Sequence, residues 1–503
     1  MQSRRFDLAI IGGGINGAAI ARDAAGRGLS VFLAEAQDYA QGTSSRSSKL
    51  IHGGLRYLEQ GEIHLVRESL SERATLLRIA PHLVRPLHFL LPVHRLYGRP
   101  AWLLRLGLVF YDLFAGRQKL NSSGRLTSNE RMRLTGLKQN MLSDVLYYSD
   151  CAGDDTRLVI ETLLDARAHG ADIGNYRRVL SVRKNHSGFT LKLHTAAGEQ
   201  EIEAQCVVNA AGPWVNEVVE NVFGATPQRK LRLVRGSHLV VAMPKPGFDH
   251  AFLLQNPDKR VVFVIPWLEG QRLLIGTTDV NHTHSPDEVT CTAAERDYLL
   301  SSYNRYFTPA LEHSDILESF AGLRPLVGGA NKAAQKLSRD YLIMGQAFRG
   351  AALMTVYGGK LTTHRALAEK VLRRLARLLP HTQAANWGPS WTAHASLPGA
   401  LPRDKADDNS LAALSPAIRA RYQHLYGTRQ SLIAGILSKE PQTAREIAQD
   451  VIEAELIFAR DHEDARGPED FLYRRTHLGF VMSLAEQEKI ARWFSRSVKQ
   501  NEG

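Results

Sequence analysis

Gly12, Gly14 and Gly17 stand at the spacing G-x-G-x-x-G directly after the apolar run Phe6-Asp-Leu-Ala-Ile-Ile11. Each glycine has a use in holding a dinucleotide. The first allows a tight turn, the second lets a pyrophosphate approach the backbone, and the third lets helix and strand pack closely. Glu35 closes the next apolar run, Ser30-Val-Phe-Leu-Ala-Glu35, where a carboxylate accepts hydrogen bonds from ribose hydroxyls. The pattern alone fits flavin and nicotinamide dinucleotides equally. A polar segment from Gln41 to Leu58 follows, carrying Thr43, Ser44, Ser45, Ser48, Lys49, His52, Gly53 and Gly54. Its hydroxyl and backbone N–H groups suit a second cofactor surface, and a solvated serine-rich loop is the alternative. Cys206-Val-Val-Asn209-Ala-Ala-Gly212-Pro-Trp214 is an apolar strand ending in small residues, which lets backbone meet a ligand at a sheet edge. Gly358-Gly359-Lys360-Leu-Thr362-Thr363 opens a basic helix whose N-terminus stabilises negative charge. His282 and His284 have the type of metal ligands, but no carboxylate or cysteine completes a set, so a solvated loop and no metal are expected.

These groups need a scaffold. Strand, glycine turn, alanine-rich helix and second strand make residues 6–35 a βαβ unit, with Ala21, Ala25 and Gly28 spaced for close packing. Asp154 to His169 reads as an amphipathic helix ending at Gly170. Asp172 to Val182 then reads as a strand, and Phe189, Leu191 and Leu193 alternate into a hairpin with Gly198 near its turn. The fold expected is α/β: a Rossmann-like cofactor domain, discontinuous in sequence, beside a mainly antiparallel substrate domain and a C-terminal helical domain. The cofactor domain is placed at 1–80, 145–225 and 340–380, the substrate domain at 81–144 and 226–339, and a linker at 381–410. Three helical stretches, Leu411 to Leu437, Thr443 to His462 and Pro468 to Val498, fill 411–503, with Arg474 and Arg475 pairing with nearby acids or serving dimerisation.

The chain has 503 residues, 44% hydrophobic and 23% charged, which are globular values that exclude bulk disorder. Its 63 Lys and Arg against 51 Asp and Glu give a net charge of +12, which could attract nucleic acid, anionic lipid or a phosphorylated substrate. The basic residues are dispersed and no zinc-finger or aromatic RNA-binding motif occurs, so nucleic acid is not an expected partner. Three cysteines without a CxxC pair suit reducing cytosol and argue against an iron–sulfur centre. No run is apolar enough to span a membrane, and Asp7 and the glycines interrupt any signal-peptide core, so a cytoplasmic location is expected. Trp102, Leu103, Leu104, Leu106, Val109, Phe110 and Phe114, among Arg95, Arg99, Arg105, Arg117 and Lys119, suit an interfacial segment; a buried helix with snorkelling arginines is the alternative.

Gly12 to Gly28, Thr43 to Glu59, Asn209 to Trp214, Gly322 to Pro325 and Gly358 to Arg365 together resemble the FAD-dependent, quinone-linked glycerol-3-phosphate dehydrogenases, within the D-amino-acid-oxidase-like flavoproteins. The likeness covers almost the whole chain. Ser47-Ser-Lys-Leu-Ile-His52-Gly-Gly-Leu-Arg56-Tyr57 and Gly358-Gly-Lys360-Leu-Thr-Thr carry it most specifically. Ala19, where the family often has glycine, and His364, where tyrosine is usual, are departures, and Val327 to Leu337 looks shorter and less acidic. The resemblance implies oxidation of glycerol 3-phosphate to dihydroxyacetone phosphate by hydride transfer to FAD, with electrons passed to a membrane quinone. It implies peripheral attachment to the inner face of the cytoplasmic membrane and allows a homodimer. It places cofactor contacts at Gly12, Gly14, Asn16, Gly17 and Glu35, and along the polar segment at Thr43, Ser44, Ser45, Ser48, Lys49, His52, Gly53 and Gly54. Further contacts fall at Ala211, Gly212, Gly359, Lys360, Leu361 and Thr362. Arg56, Arg324 and Lys360 would anchor the phosphate, Tyr57 would position substrate, and His238 would take the alcohol proton, with Lys360 its rival as base. An oxidase returning electrons to oxygen or acting on an amine or hydroxy acid, and a flavin-binding sensor, are the competing readings.

Overall fold

The computed structural model describes residues 4–501 except 60, 119, 245–246, 329–339, 381, 383–384 and 401–410, together with the backbone but not the side chains of 56, 59, 117 and 497–501. β1 (Arg4–Ile11) and β2 (Val31–Ala34) flank α1 (Ile15–Gly26), as the glycine spacing dictates. They lie in an eight-stranded sheet in the order Leu342–Phe348, Ala351–Tyr357, Gly198–Asn209, β1, β2, Asp172–Gly174. Ala351–Tyr357, Gly198–Asn209, β1, β2 and Asp172–Gly174 run parallel, so their carboxyl ends share one edge. The region expected as one strand from Asp172 breaks in two, Asp172–Gly174 and Arg178–Asn185, at the left-handed Tyr176. Arg178–Asn185 then continues the hairpin Gly188–Thr195 and Gly198–Asn209.

Buried alanines on α1 let it sit close between helices Asp155–Ala168 and His364–Leu378, forming one core with Leu8, Ile10 and Val208 of the sheet. Residues 385–400 lie against this layer rather than free of it. The Trp391 ring takes the space beside Gly26 that a Cβ would occupy, Arg22 donates to the Ala395 carbonyl at 2.9 Å, and Gly399 donates to Glu161 at 2.7 Å.

A ten-stranded second sheet, antiparallel in all but one pairing, contains Val84–His94, Leu142–Gly153, Leu231–Ala242, Ala251–Gln255, Val261–Trp267, Arg272–Gly276 and Ile316–Val327, and Leu50–Ile51 of the polar segment joins its edge. One face holds Leu239, Val241 and Ile275 against helix Ala293–Asn304. Phe89, Val240, Leu274 and Phe263 lie on the other, under helices Ile63–Ile79 and Ala101–Ala115.

The C-terminal region contains helices Pro416–Leu425, Gln430–Lys439, Glu453–Glu463 and Leu484–Asn501. The helix expected from Thr443 begins only at Glu453. Glu446–Ala448 and Val451–Ile452 pair as a short hairpin whose turn carries Asp450 at φ +57°.

Candidate active site

At the carboxyl edge of the parallel strands lies a cleft of about 440 Å³. It is lined by Gly12, Gly14, Asn16, Glu35, Thr43, Ser44, Ala211, Gly212, Gly359 and Leu361, all anticipated from sequence. The backbone is pressed in on itself here. A Cβ on Gly17 would stand 1.9 Å from the Gly12 carbonyl oxygen, and one on Gly12, at φ +111°, would stand 2.8 Å from that of Ala210. Gly17 therefore acts beneath the cleft, in the contact between α1 and β1. Glu35 accepts from the backbone N–H groups of Gly13 at 2.7 Å and Gln37 at 2.9 Å, while burial pushes its carboxyl above the usual range. Ser44 Oγ accepts from Ile15 N at 3.0 Å, tying the polar segment to the start of α1. Asn16 donates to the Gly358 carbonyl at 3.0 Å, and its buried Oδ1 has no partner among the described residues.

Other parts of the cleft were not legible in sequence. Val179, Val218 and Val222 supply apolar wall, with Ala36, Gln37, Arg177 and Arg178 among the residues that line it beside them. These residues come from separate segments that only the tertiary fold brings together.

The remaining anticipated residues lie outside this lining. Lys49 is buried at φ +57°, with Nζ 2.7 and 2.8 Å from the two oxygens of Asp155 and 2.7 Å from the Ser45 carbonyl. Its charge is committed to an ion pair, so Lys49 shapes the polar segment from beneath. Ser45 caps its own turn through the Gly42 carbonyl at 3.3 Å, and His52 N meets Thr362 Oγ1 at 3.3 Å. Gly53 N donates to Tyr111 OH at 2.9 Å, and Tyr111 donates to Asp150, which also takes Arg73 at 2.8 Å. At Gly54, φ +76° and the Tyr57 ring leave no room for a Cβ.

Beside Gly359 and Leu361, Lys360 holds Nζ 3.8 Å from the centre of the buried Tyr57 ring. That nitrogen is shielded from solvent and has no hydrogen-bond partner among the described residues. Arg324 is engaged: Nη1 meets Asp279 Oδ1 at 2.8 Å and the Thr278 carbonyl at 3.1 Å, and Nη2 meets Thr277 Oγ1 at 3.0 Å. His238 is 1% exposed and stacked on Phe320, with Nε2 2.8 Å from Ser48 Oγ and Nδ1 without a partner among the described residues. Burial, helped by the charges of Arg324 and Lys49, holds its imidazole neutral, well below the ordinary histidine pKa. Arg56 lies in helix Leu55–Glu59, with its side chain outside the described residues. His364 is buried with Nδ1 2.6 Å from the Leu361 carbonyl, and Ala19 is buried in α1; most of the Val327 to Leu337 stretch is outside the described residues.

A glycine cradle that any Cβ would fill, a carboxylate beside it, an orphaned amide oxygen and an adjoining apolar wall fit a dinucleotide that carries a further ring system. The chain belongs to the FAD dependent oxidoreductase family, whose model it matches over residues 7–365. Residues 390–502 match the C-terminal domain of alpha-glycerophosphate oxidase. D-erythritol 1-phosphate dehydrogenase of Brucella abortus is 42% identical over 501 residues, 98% of each chain. Aerobic glycerol-3-phosphate dehydrogenase of Escherichia coli is 38% identical over 503 residues, again 98% of each. The crystal structure of the glycerol-3-phosphate dehydrogenase from Bacillus halodurans, complexed with FAD, matches with a TM-score of 0.77 at 28% identity, covering 99% of this chain and 91% of that one. The cofactor is FAD, and the chain is a flavoprotein oxidoreductase similar throughout to glycerol-3-phosphate dehydrogenases.

Proposed function

We propose that this enzyme oxidises the secondary alcohol of sn-glycerol 3-phosphate to dihydroxyacetone phosphate and delivers the electrons to a membrane quinone. The observation that carries the substrate is the Lys360 ammonium, enclosed beside the FAD cleft with an aromatic ring under it and no anion bonded to it among the described residues. An enclosed unpaired charge is costly, and a phosphate dianion would supply the missing partner. When bound, FAD supplies the hydride acceptor. Gly12, Gly14, Glu35, Ser44 and Gly359 would hold it.

Lys360, with Arg56, binds the phosphate. Arg324, fixed by Asp279, holds the wall at Pro325 and adds positive potential. His238 stays neutral because of its burial, so it can accept the hydroxyl proton, and Ser48 fixes Nε2. Tyr57 sets the height of the Lys360 ammonium.

The Ala101–Ala115 helix turns Leu104, Leu108, Tyr111 and Ala115 inward and exposes Trp102, Leu106, Val109, Phe110 and Leu113. Arg105 shares the helix. Such a face suits the boundary between lipid headgroups and chains, and no helix among the described residues is long and apolar enough to cross a membrane. Docking through it to the inner face of the cytoplasmic membrane would bring the enzyme to its quinone.

Anaerobic mixing with glycerol 3-phosphate should bleach the oxidised-flavin absorbance while glycerol does not, and added quinone should restore it faster than oxygen. A flavin that stays oxidised overturns the substrate. A second reading rests on the Brucella relative: a four-carbon alditol phosphate would offer the same phosphate to Lys360, and kcat/KM for erythritol phosphate against glycerol 3-phosphate separates the two.

A further inference from the structure

Among the described residues, the C-terminal region reaches the FAD cleft through intermediaries, and many of those contacts converge on one loop. Between Glu35 and Gln41, which both line the cleft, the chain runs through Asp38, Tyr39 and Ala40. Ala40 N donates to the Gly13 carbonyl at 3.1 Å, so this loop rests directly on the glycine turn. Its outer side is held from more than 400 residues away. Arg475 grips Asp38 with two bonds, Nη1 to Oδ2 at 2.8 Å and Nη2 to Oδ1 at 2.9 Å, and is itself tied to the Glu463 carbonyl at 3.0 Å. Arg474 Nε also reaches Asp38 Oδ2. Tyr39 OH donates to Asp464 at 2.9 Å, and Tyr176, whose N–H caps the Gln37 carbonyl, donates through OH to Asp470 at 2.8 Å. Asp38 and Arg475 are both essentially inaccessible to solvent.

The other side of the cleft is braced in the same way. Asp154 and Asp155 start helix Asp155–Ala168. Asp155 takes Ser47 Oγ at 2.6 Å and Lys49 Nζ, fixing the polar segment, while Asp154 takes His477 Nε2 at 3.1 Å. Residues 474–477 thus reach supports of both the 36–41 loop and the 43–49 segment.

We propose that Arg474, Arg475 and Asp464 are positioning residues for FAD: the C-terminal region is a clamp that holds the 36–41 loop in its cofactor-binding shape. None of them lines the cleft. Their contribution is preorganisation, because a loop already fixed loses no further entropy when FAD binds. The clamp is a buried, bidentate, fully paired contact, the arrangement that holds one geometry most strongly.

The test is flavin retention, read on diluted holoenzyme as the equilibrium release of FAD fluorescence, with folding followed separately by thermal melting. Arg475→Gln should raise the Kd for FAD by about tenfold, which corresponds to about 1.4 kcal/mol. Asp38→Asn should act similarly, and the double variant should be no worse than the more damaging single, since the contact that Arg475→Gln breaks is among those that Asp38→Asn breaks. The control is Arg429→Gln. Arg429 bonds Glu463 at 2.7 Å and Glu161 at 3.2 Å in the same interface but touches no part of the loop. It should lower the melting midpoint while leaving the Kd within about twofold. Equal loss of FAD in both variants would reduce the clamp to general stability and overturn the proposal, as would unchanged retention in Arg475→Gln. If Arg475→Gln gives no cooperative melt, Tyr39→Phe replaces it. Losing one hydroxyl should cost about threefold in Kd, the weight of one hydrogen bond, and no change overturns the proposal.

Discussion

Buried cations occur in two regions of this molecule, and they are treated in opposite ways. Where the C-terminal region meets the cofactor layer, Arg157 is wholly enclosed and makes bidentate bonds to Glu463 at 2.6 and 2.8 Å, with a third to the Leu425 carbonyl at 3.0 Å. Burial pushes the Glu463 carboxyl up, but the Arg157 and Arg429 charges win and hold it at about 2. At the cleft, Lys360 has a ring beneath it and no hydrogen-bond partner among the described residues. Desolvation is costly in both places, and only the interface recovers it within the chain. A saturated buried charge marks structure. An unsaturated one beside a cofactor cleft marks the position of a ligand charge.

Removing each cation should therefore act on a different observable. Arg157→Met leaves Glu463 with Arg429 as its remaining cation and should cost about 3 to 5 kcal/mol of stability, the usual penalty for breaking a buried pair, seen as a large fall in the thermal midpoint. kcat/KM per folded enzyme should stay within about twofold. A midpoint close to that of the wild type would show that Arg429 alone satisfies Glu463. Lys360→Met reverses the pattern. kcat/KM for glycerol 3-phosphate should fall by two to three powers of ten, about 3 to 4 kcal/mol, while the midpoint holds or rises because an unpaired charge is gone. Retained activity would move the phosphate site away from Lys360.

The two regions also differ in how far the sequence shows them. The glycine turn is legible because Gly12, Gly14 and Gly17 act on neighbours within one βαβ unit, and the α/β fold follows from that unit. Lys360 is legible by type and by its glycine neighbours, although its lack of a partner is a fact of packing. The interface leaves no such trace. Arg474 and Arg475 read naturally as partners of nearby acids. Arg474 does keep Asp470, but both also reach Asp38 across 436 and 437 positions, and no local spacing encodes that. The resemblance implies that Arg324 anchors the phosphate, and in the fold Thr277, Thr278 and Asp279, which follow the Arg272–Gly276 strand, engage its guanidinium, a contact that no local spacing encodes. The start of the 453–463 helix was misjudged because Ile447, Ala448, Val451 and Ile452 pair as strands around a left-handed Asp450 that a helical reading does not anticipate.

Acid should weaken both regions through one mechanism. His364, at the cleft, and His424, at the interface, are each held at about 4, first by burial and then by nearby arginines. These values lie below the ordinary 6.5, so the unfolded chain binds protons that the folded chain refuses. Stability is thus full above about pH 6.5 and falls as the pH drops toward 4, by up to about 1.4 kcal/mol per pH unit for each histidine. His238, depressed in the same direction, adds to the slope. Asp38 and Glu463, at about 2, act in the same sense at lower pH: their contribution is present above about pH 4 and is lost only below it. Denaturation measured from pH 7 to 5 should therefore show a shallower slope in His364→Asn and in His424→Asn, and an unchanged slope would mean that both imidazoles already accept protons in the folded state.

The smallest contrast uses two hydroxyls, each against a buried histidine. Ser48 Oγ lies 2.8 Å from His238 Nε2 at the cleft, and Thr156 Oγ1 lies 3.1 Å from His477 Nε2 at the interface. In both histidines Nδ1 is buried and has no partner among the described residues, so the hydroxyl helps decide where Nε2 points. Deleting either one removes a neutral hydrogen bond worth about 1 kcal/mol. Ser48→Ala should spend that loss on turnover, lowering kcat about fivefold with KM and melting midpoint nearly constant, because a loosened His238 is less often aligned with the alcohol proton. Thr156→Val should spend it on the midpoint and leave kcat alone, since Asp154 still holds His477 at 3.1 Å and no reacting atom depends on that ring. If Ser48→Ala shifts only the midpoint, His238 is a structural histidine like His477, and the proton acceptor must be sought among the groups around Lys360.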